Sequence, residues 1–332
     1  MIARHGCQRR WVPVLLLAVL LALAGTACAP RQRPTMDAAK AMVDQFMQDR
    51  AEGRVQNAQA RLTPAARAAF DAQSGPALDL EGLDDEVRFY FQSASSPGVG
   101  RYLFVFRVHR VAREAPHAAY WDETIQVLWQ GGEYRVDGAA LASGREASVG
   151  EDLMVRVRSA QGEEFAFGFG DLPDEFSPQG APDDLAFGVG KEGYVLLSFS
   201  PAGDRLAFVT WGTHGFLGAA AMPQGEPRGI DLHFEGVTVD VEWAPDGQRL
   251  VAVVDEPTGN QALMLYSVFP PERLALGLRE LFPPEQYSLS DPRWQQPGRL
   301  TFIVRAAEGG AAAREGAWQL DMGTGTVSRT GP

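Results

Sequence analysis

The sequence predicts an α+β domain followed by an all-β domain of repeated hairpins. Three observations carry this. Apolar residues recur at helical spacing only between Met36 and Phe70, long alternating runs begin at Val87, and from Leu197 onward a hairpin pattern returns at intervals of 44 and 50 residues. A length of 332 residues agrees with two domains.

The chain opens with Arg4, Arg9 and Arg10, an apolar run from Trp11 to Ala24, and the small residues Gly25-Thr26-Ala27 before Cys28. A basic start, a short apolar stretch and small residues make a secretory signal over 1–27. The run is shorter than the roughly 20 residues that a spanning helix needs. Gly25-Thr26-Ala27-Cys28 resembles the lipobox of bacterial lipoproteins, although Gly25 stands where that family usually has Leu. The resemblance implies acylation of the Cys28 thiol and a mature chain held at the outer face of the cell membrane by its acyl chains. Plain secretion with cleavage after Ala27 is the alternative. Whether the host has an outer membrane is not written in these residues.

The 30 Lys and Arg face 42 Asp and Glu, and without Arg4, Arg9 and Arg10 the balance falls from −12 to −15. Such a chain has no basic stripe for nucleic acid, and anionic headgroups repel it, so membrane attachment rests on acyl chains. The only cysteines are Cys7 and Cys28. The mature protein therefore has no disulfide and depends on its core, which a chain of about 300 residues can supply.

Residues 28–34 read as a tether. In the first domain, over 35–143, Met36, Ala39, Met42, Val43, Phe46 and Met47 share a helix face, with Thr35 as N-cap and Gly53 as stop. A second helix has Thr63 as cap and Pro64 in its first turn. Strands are expected at Val87–Phe91, Arg101–Val111, Tyr120–Trp129 and Glu133–Val136, the last pair joined at Gly131-Gly132. Helices followed by a meander of long strands resemble the cone-shaped NTF2-like fold. That resemblance implies an apolar cavity, with Phe89, Phe91, Phe104, Phe106 and Trp129 as its candidate lining. Residues 144–150, closing the small and polar run Ala139–Gly150, are read as a linker.

The second domain, 151–332, carries the repeat. Its copies are Leu197-Ser198-Phe199-Ser200-Pro201-Ala202-Gly203-Asp204-Arg205-Leu206, Val241-Glu242-Trp243-Ala244-Pro245-Asp246-Gly247-Gln248-Arg249-Leu250, and Pro292-Arg293-Trp294-Gln295-Gln296-Pro297-Gly298-Arg299-Leu300. An aromatic ends one buried strand, Pro fixes φ, Gly closes the turn and a Leu-bearing strand returns. The repeat core is Phe199, Pro201, Leu206, Trp243, Pro245, Asp246, Gly247, Leu250, Trp294, Gly298 and Leu300. It is similar to WD40-like, TolB-type β-propeller repeats, which implies about four blades, with Asp152–Gly170 supplying the first and the ring closed or left open. One helix is expected within Pro271–Leu281.

No catalytic constellation emerges. The histidines have no metal-ligand spacing, so no metal and no cofactor is expected; His109 and His117, with Asp122 and Glu123, are the only conceivable acid–base or metal set. Gly188-Val189-Gly190-Lys191-Glu192-Gly193 matches a phosphate fingerprint in letters, but a strand follows instead of a helix. The acidic groups Asp79, Glu81, Asp84, Asp85, Glu86 and Asp183, Asp184 read as solvated faces. Trp211, Phe216, Trp243 and Trp294 are candidates either for core or for a sugar or peptide groove. The expectation is a non-enzymatic, lipid-anchored binding or scaffold protein of the cell envelope with an envelope protein as partner. Its plan resembles actinobacterial lipoproteins that modulate sensor kinases. The alternative is a small-ligand binder for a sugar, peptide or lipid fragment in the cone pocket or propeller centre. The sequence fixes neither the partner nor an oligomeric state.

Overall fold

The computed structural model describes residues 34–71, 86–112, 115–182, 185–222, 224–234 and 236–330. The leader, Cys28 and all of the tether except Pro34 lie outside these, as do Asp79, Glu81, Asp84, Asp85, Asp183 and Asp184.

Helix α1 (Met36–Ala51) begins as its sequence dictates, with the Ala38 amide donating to Thr35 Oγ1 at 3.3 Å. Its buried Ala39, Val43, Phe46 and Met47 face one side of a sheet. The short α2 (Val55–Ala60), which carries no cap signal, leads to α3 (Pro64–Asp71), capped by Thr63 Oγ1 accepting from the Ala66 amide at 3.1 Å.

That sheet has six antiparallel strands in chain order: β1 (Glu86–Gly98), β2 (Arg101–Ala112), β3 (His117–Gln130), β4 (Glu133–Val149), β5 (Met154–Ser159) and β6 (Gly162–Gly168). Two expectations are corrected here. Residues 144–150 are no linker, because β4 runs through to Val149 and pairs Ala147 with Val157 of β5. Asp152–Gly170 forms no separate blade either, since β5 and β6 extend the N-terminal sheet. The small residues that suggested a linker serve close packing. A Cβ on Gly144 would collide with the Tyr120 carbonyl and Trp121.

After a two-stranded ribbon, β7 (Glu175–Phe176) with β8 (Phe187–Gly188), come three four-stranded antiparallel meanders. The first holds β9 (Gly193–Phe199), β10 (Arg205–Trp211), β11 (Gly215–Ala221) and β12 (Arg228–His233). The second holds β13 (Val237–Trp243), β14 (Arg249–Asp255), β15 (Gln261–Val268) and β16 (Pro271–Arg273), and the third β17 (Tyr287–Gln296), β18 (Arg299–Ala306), β19 (Gly316–Asp321) and β20 (Thr326–Arg329). Their first strands are neighbours, β9 beside β13 and β13 beside β17, which makes a propeller-like arc of three blades among the described residues. Of the helix expected within Pro271–Leu281 only one turn forms, α4 (Leu278–Leu281).

The repeat residues do what their pattern implies. Phe199, Leu206, Trp243, Leu250, Trp294 and Leu300 are all buried. The Gly203 amide donates to the Ser200 carbonyl at 2.7 Å and the Gly247 amide to the Ala244 carbonyl at 2.8 Å, both glycines having positive φ. Pro201 and Pro245 lead into these two turns, and Asp246 Oδ1 accepts from the Gln248 amide at 2.9 Å. The third copy is tighter. Gln296 pairs with Arg299 across Pro297 and Gly298, so there is no place for the Asp of the second copy.

Four cores lie in series: between helices and sheet, between sheet and first blade, and between successive blades. The six-stranded sheet thus buries both faces. On β2, Phe104, Phe106 and Val108 pack toward the helices, while Arg107, His109 and Val111 point to the blades.

Candidate functional site

The join between sheet and blades holds a cluster of buried charge. On β1, Glu86, Arg88 and Tyr90 alternate with Val87 and Phe89, which pack on the helix side. Arg88 Nη1 donates to the Val241 carbonyl at 2.9 Å, and Nη2 lies 3.3 Å from Asp240 and 2.9 Å from Glu86. Arg293 pairs with Glu86 and approaches Glu242 to 3.9 Å, while Glu242 Oε1 accepts from the Trp294 amide at 3.2 Å. Burial opposes charge on Arg88, but Glu86, Glu242 and Asp240 outweigh it and strengthen its hold on its proton. Burial pushes the Glu242 carboxyl up, against the pull of Arg88 and Arg293. Glu86 therefore departs from the solvated reading: its carboxylate holds two arginines.

Beside this cluster runs a column of rings. Tyr90 meets His109 edge-on at 5.1 Å, His109 stacks on Tyr120 at 5.6 Å, and Tyr120 meets Phe199 of the first blade at 5.0 Å. Burial, reinforced by Arg107 and Arg88, lowers the His109 pKa to about 3, so its ring is neutral. Arg107, fixed by Asp122 at 2.7 Å, donates to the carbonyls of Pro201 and Ala202 at 3.1 and 2.7 Å. The turn of the first repeat is thereby held by the N-terminal sheet.

A second buried chain joins the first two blades. Thr238 Oγ1 donates to His233 Nδ1 at 2.7 Å, His233 Nε2 donates to the Tyr266 hydroxyl at 2.9 Å, and Tyr266 donates to Asp231 at 2.8 Å. This direction satisfies every member with a neutral ring. Burial lowers the His233 pKa to about 4. The chain resembles a catalytic relay only in composition, because all four residues are buried.

Open surface of a different kind lies at the end of the first blade where β10 turns into β11 and β12 leads to β13. Phe234 stacks on His214 at 4.7 Å and lies 5.1 Å from Phe187, which meets His214 at 5.4 Å. Around them Trp211 is 47% exposed, Phe234 51%, Leu185 43% and Val237 41%. These exposed aromatic and aliphatic side chains make up an apolar surface at one end of the blade. Of the four aromatics singled out in the sequence, only Trp211 is here; Phe216, Trp243 and Trp294 are core. Phe187, His214 and Phe234 gave no sequence signal, because they come from three distant places, the short strand β8, the β10–β11 turn and the segment after β12.

The other candidates fall as follows. Phe104 and Phe106 are fully buried and Phe89 lies 6.0 Å from Phe106, filling the space under α1. Phe91 reaches the surface beneath Lys40, and Trp129 packs away from them on Tyr134 at 4.6 Å. The structure therefore brings three of these rings together as core, with Phe91 at its margin and Trp129 apart from them. Of His109, His117, Asp122 and Glu123, only His109 and Asp122 face the same join: His117 pairs with Glu146 at 2.8 Å, and Glu123 pairs with Arg50 at 2.9 Å on the helix side. Gly190 and Gly193 sit where the backbone passes close to Trp211 and His214, Gly188 ends β8 and Gly193 opens β9. A groove of about 590 Å³ lies along the outer edge of the second blade, lined by Gln179, Met264, Arg273, Leu276 and Arg279 among others.

No protein-family model matches the chain, and no curated protein matches it. Among solved structures it is similar to TolB from Acinetobacter baumannii, at 11% identity and a TM-score of 0.33 over 79% of this chain and 59% of that one. It is also similar to an oligogalacturonate lyase in complex with manganese, at 11% identity and a TM-score of 0.31 over 62% of this chain and 59% of that one. A third is a puromycin hydrolase, at 11% identity and a TM-score of 0.29 over 64% of this chain and 45% of that one. The chain thus spans less than two thirds of each of these three. Likenesses to TolB, a lyase and a hydrolase at this identity transfer no activity.

Proposed function

We propose that this chain is a lipid-anchored, extracytoplasmic binding protein that acts without catalysis in the cell envelope. Its N-terminal half, helices laid on a long antiparallel sheet, is read as an NTF2-like module joined to TolB-type blades. The observation that carries the binding role is the aromatic surface at the end of the first blade, where Trp211 and Phe234 are about half exposed. The anchoring role is carried by the lipobox-like Gly25-Thr26-Ala27-Cys28. The partner is an envelope protein that covers this patch.

Photo-crosslinking in cells tests it. A photoreactive residue at position 234 is expected to give one discrete protein adduct that Trp211→Ala abolishes, and a residue at position 146 none. Adducts of equal yield from both positions, or none from 234, would count against the proposal.

The groove along the second blade supports a second reading, since about 590 Å³ is the size of a small-ligand site and Arg273 and Arg279 stand in it. A thermal-shift screen of anionic sugars and peptides that stabilises the protein, with loss of the effect in Arg273→Ala, would favour that reading.

A further inference from the structure

The described chain begins at one end of the six-stranded sheet, and that end has a distinctive surface. Thr35 is pinned there, its amide donating to the Tyr134 hydroxyl and its carbonyl accepting from that hydroxyl at 2.8 Å. Tyr134 packs edge-on against Trp129 at 4.6 Å, and the Trp129 amide donates to the Gly100 carbonyl at 2.7 Å. Next to Gly100 stands Val99, 98% exposed at the tip of the β1–β2 hairpin. Half-buried Leu128 lies opposite Arg101 at the same level. A continuous path of contacts thus runs from the start of α1 to a bare valine, by way of a tyrosine and a tryptophan.

Six residues lie between Cys28 and Thr35, which makes seven steps along the chain. Fully extended they reach at most ~25 Å. An acyl-bearing Cys28 therefore holds this end of the sheet near the bilayer, and no other described part of the protein is tethered so closely. Its chemistry suits the place: Trp and Tyr favour the membrane–water interface, and Val99 offers an apolar tip. The charges here are Arg101, the Arg135–Glu133 pair and Asp37 in the first turn of α1, two of each sign, so the strong negative balance of the chain is not concentrated at this end.

We infer that the hairpin tip carrying Val99, backed by Trp129 and Tyr134, is a second membrane contact that seats in the phospholipid interface and sets the protein upright. It rests on the lipid-anchor reading proposed above. An acyl anchor alone fixes distance and leaves orientation free; a second apolar contact fixes the tilt. The blades are then carried away from the membrane, and the opposite end of β3 and β4 stands ~40 Å from it at 3.3 Å per strand residue.

The mature sequence has no cysteine besides Cys28, so one added cysteine can be labelled alone. Val99→Cys and Glu146→Cys, the latter at the far end of β4, are made in the full-length protein and labelled with an environment-sensitive fluorophore. Each is reconstituted in phosphatidylethanolamine–phosphatidylglycerol vesicles containing brominated acyl chains, and the mass of the N-terminal peptide is measured on the same samples. The inference predicts acylated peptide, several-fold quenching at position 99 and none at 146. Acylated protein with no more quenching at 99 than at 146 would overturn this inference while leaving the anchor intact. An N-terminal peptide without acyl chains would overturn both.

Discussion

Trp243 donates its indole N–H to the carbonyl of Ser198 at 3.0 Å, one residue before Phe199, the aromatic of the preceding repeat. One blade later Trp294 does the same to Glu242 at 3.2 Å, again one residue before the preceding aromatic. The hairpin motif therefore carries the glue between blades as well as the turn within one. Trp243→Phe keeps most of the buried ring and loses the hydrogen bond, which is expected to lower stability by about 1 kcal/mol. Trp243→Ala, which also opens a cavity, should lose about 3–5 kcal/mol. Urea unfolding of the two variants checks the ratio.

Arg88 balances Asp240, Glu242 and Glu86 in a poorly hydrated join. Arg88→Met leaves the buried carboxylates without that balance, and a loss of about 3–5 kcal/mol in urea unfolding is expected. A variant within 0.5 kcal/mol of the parent, a margin ordinary for surface changes, would show that the cluster does not hold the two halves together.

Gly203 and Gly247 occupy matching turns with φ of +71° and +64°. Alanine at either meets the same backbone strain, about 1–2 kcal/mol. Only at Gly203 does the new Cβ run into a neighbour, the Tyr120 ring of the N-terminal sheet; at Gly247 the nearest atom is 3.8 Å away. Gly203→Ala should therefore destabilise clearly more than Gly247→Ala, and the difference in urea midpoint measures the contact between sheet and first blade.

His109 and His233 are neutral in the fold, with pKa lowered from 6.5 to about 3 and about 4. A histidine whose folded pKa lies below its unfolded one stabilises fully above pH 6.5 and loses that contribution as pH falls toward the folded value. Each should remove about 2 kcal/mol of stability by pH 5. Tyr90, Tyr120, Arg107, Arg88 and Asp122 surround the first ring, and Asp231, Tyr266 and Arg273 the second. Glu242, whose carboxyl burial pushes up against Arg88 and Arg293, works in the opposite sense, its contribution being lost as pH rises through the folded value. Urea midpoints between pH 7.5 and 5 should fall in the parent, and less steeply in His109→Phe.

What the sequence made legible was local. Thr35 and Thr63 cap the helices they were expected to cap, and the alternation of Tyr102, Phe104, Phe106 and Val108 marks a strand. The two Pro-containing turns with positive-φ glycines mark the blades. The domain boundary was not legible, because Gly144, which suggested a linker, is small for a tertiary reason, its approach to Tyr120. Bulges opposite Trp121–Glu123 and Gln126–Val127 also break the alternation of β4. The ion cluster joins Arg88 to residues more than 150 positions away. Its one sequence trace is charge within otherwise apolar strands, Arg88 beside Phe89 and Glu242 beside Trp243. The aromatic patch gathers Phe187 of β8, Trp211 and His214 at the β10–β11 turn, and Phe234 after β12, so only folding assembles it.

The functional account stands on acylation at Cys28, and metabolic labelling with a clickable fatty acid tests it most directly. The account predicts a labelled band of the mature size in the membrane fraction, and an unlabelled band when Cys28→Ala is expressed. Unlabelled parent protein in the cytosol with residues 1–27 still attached would contradict it.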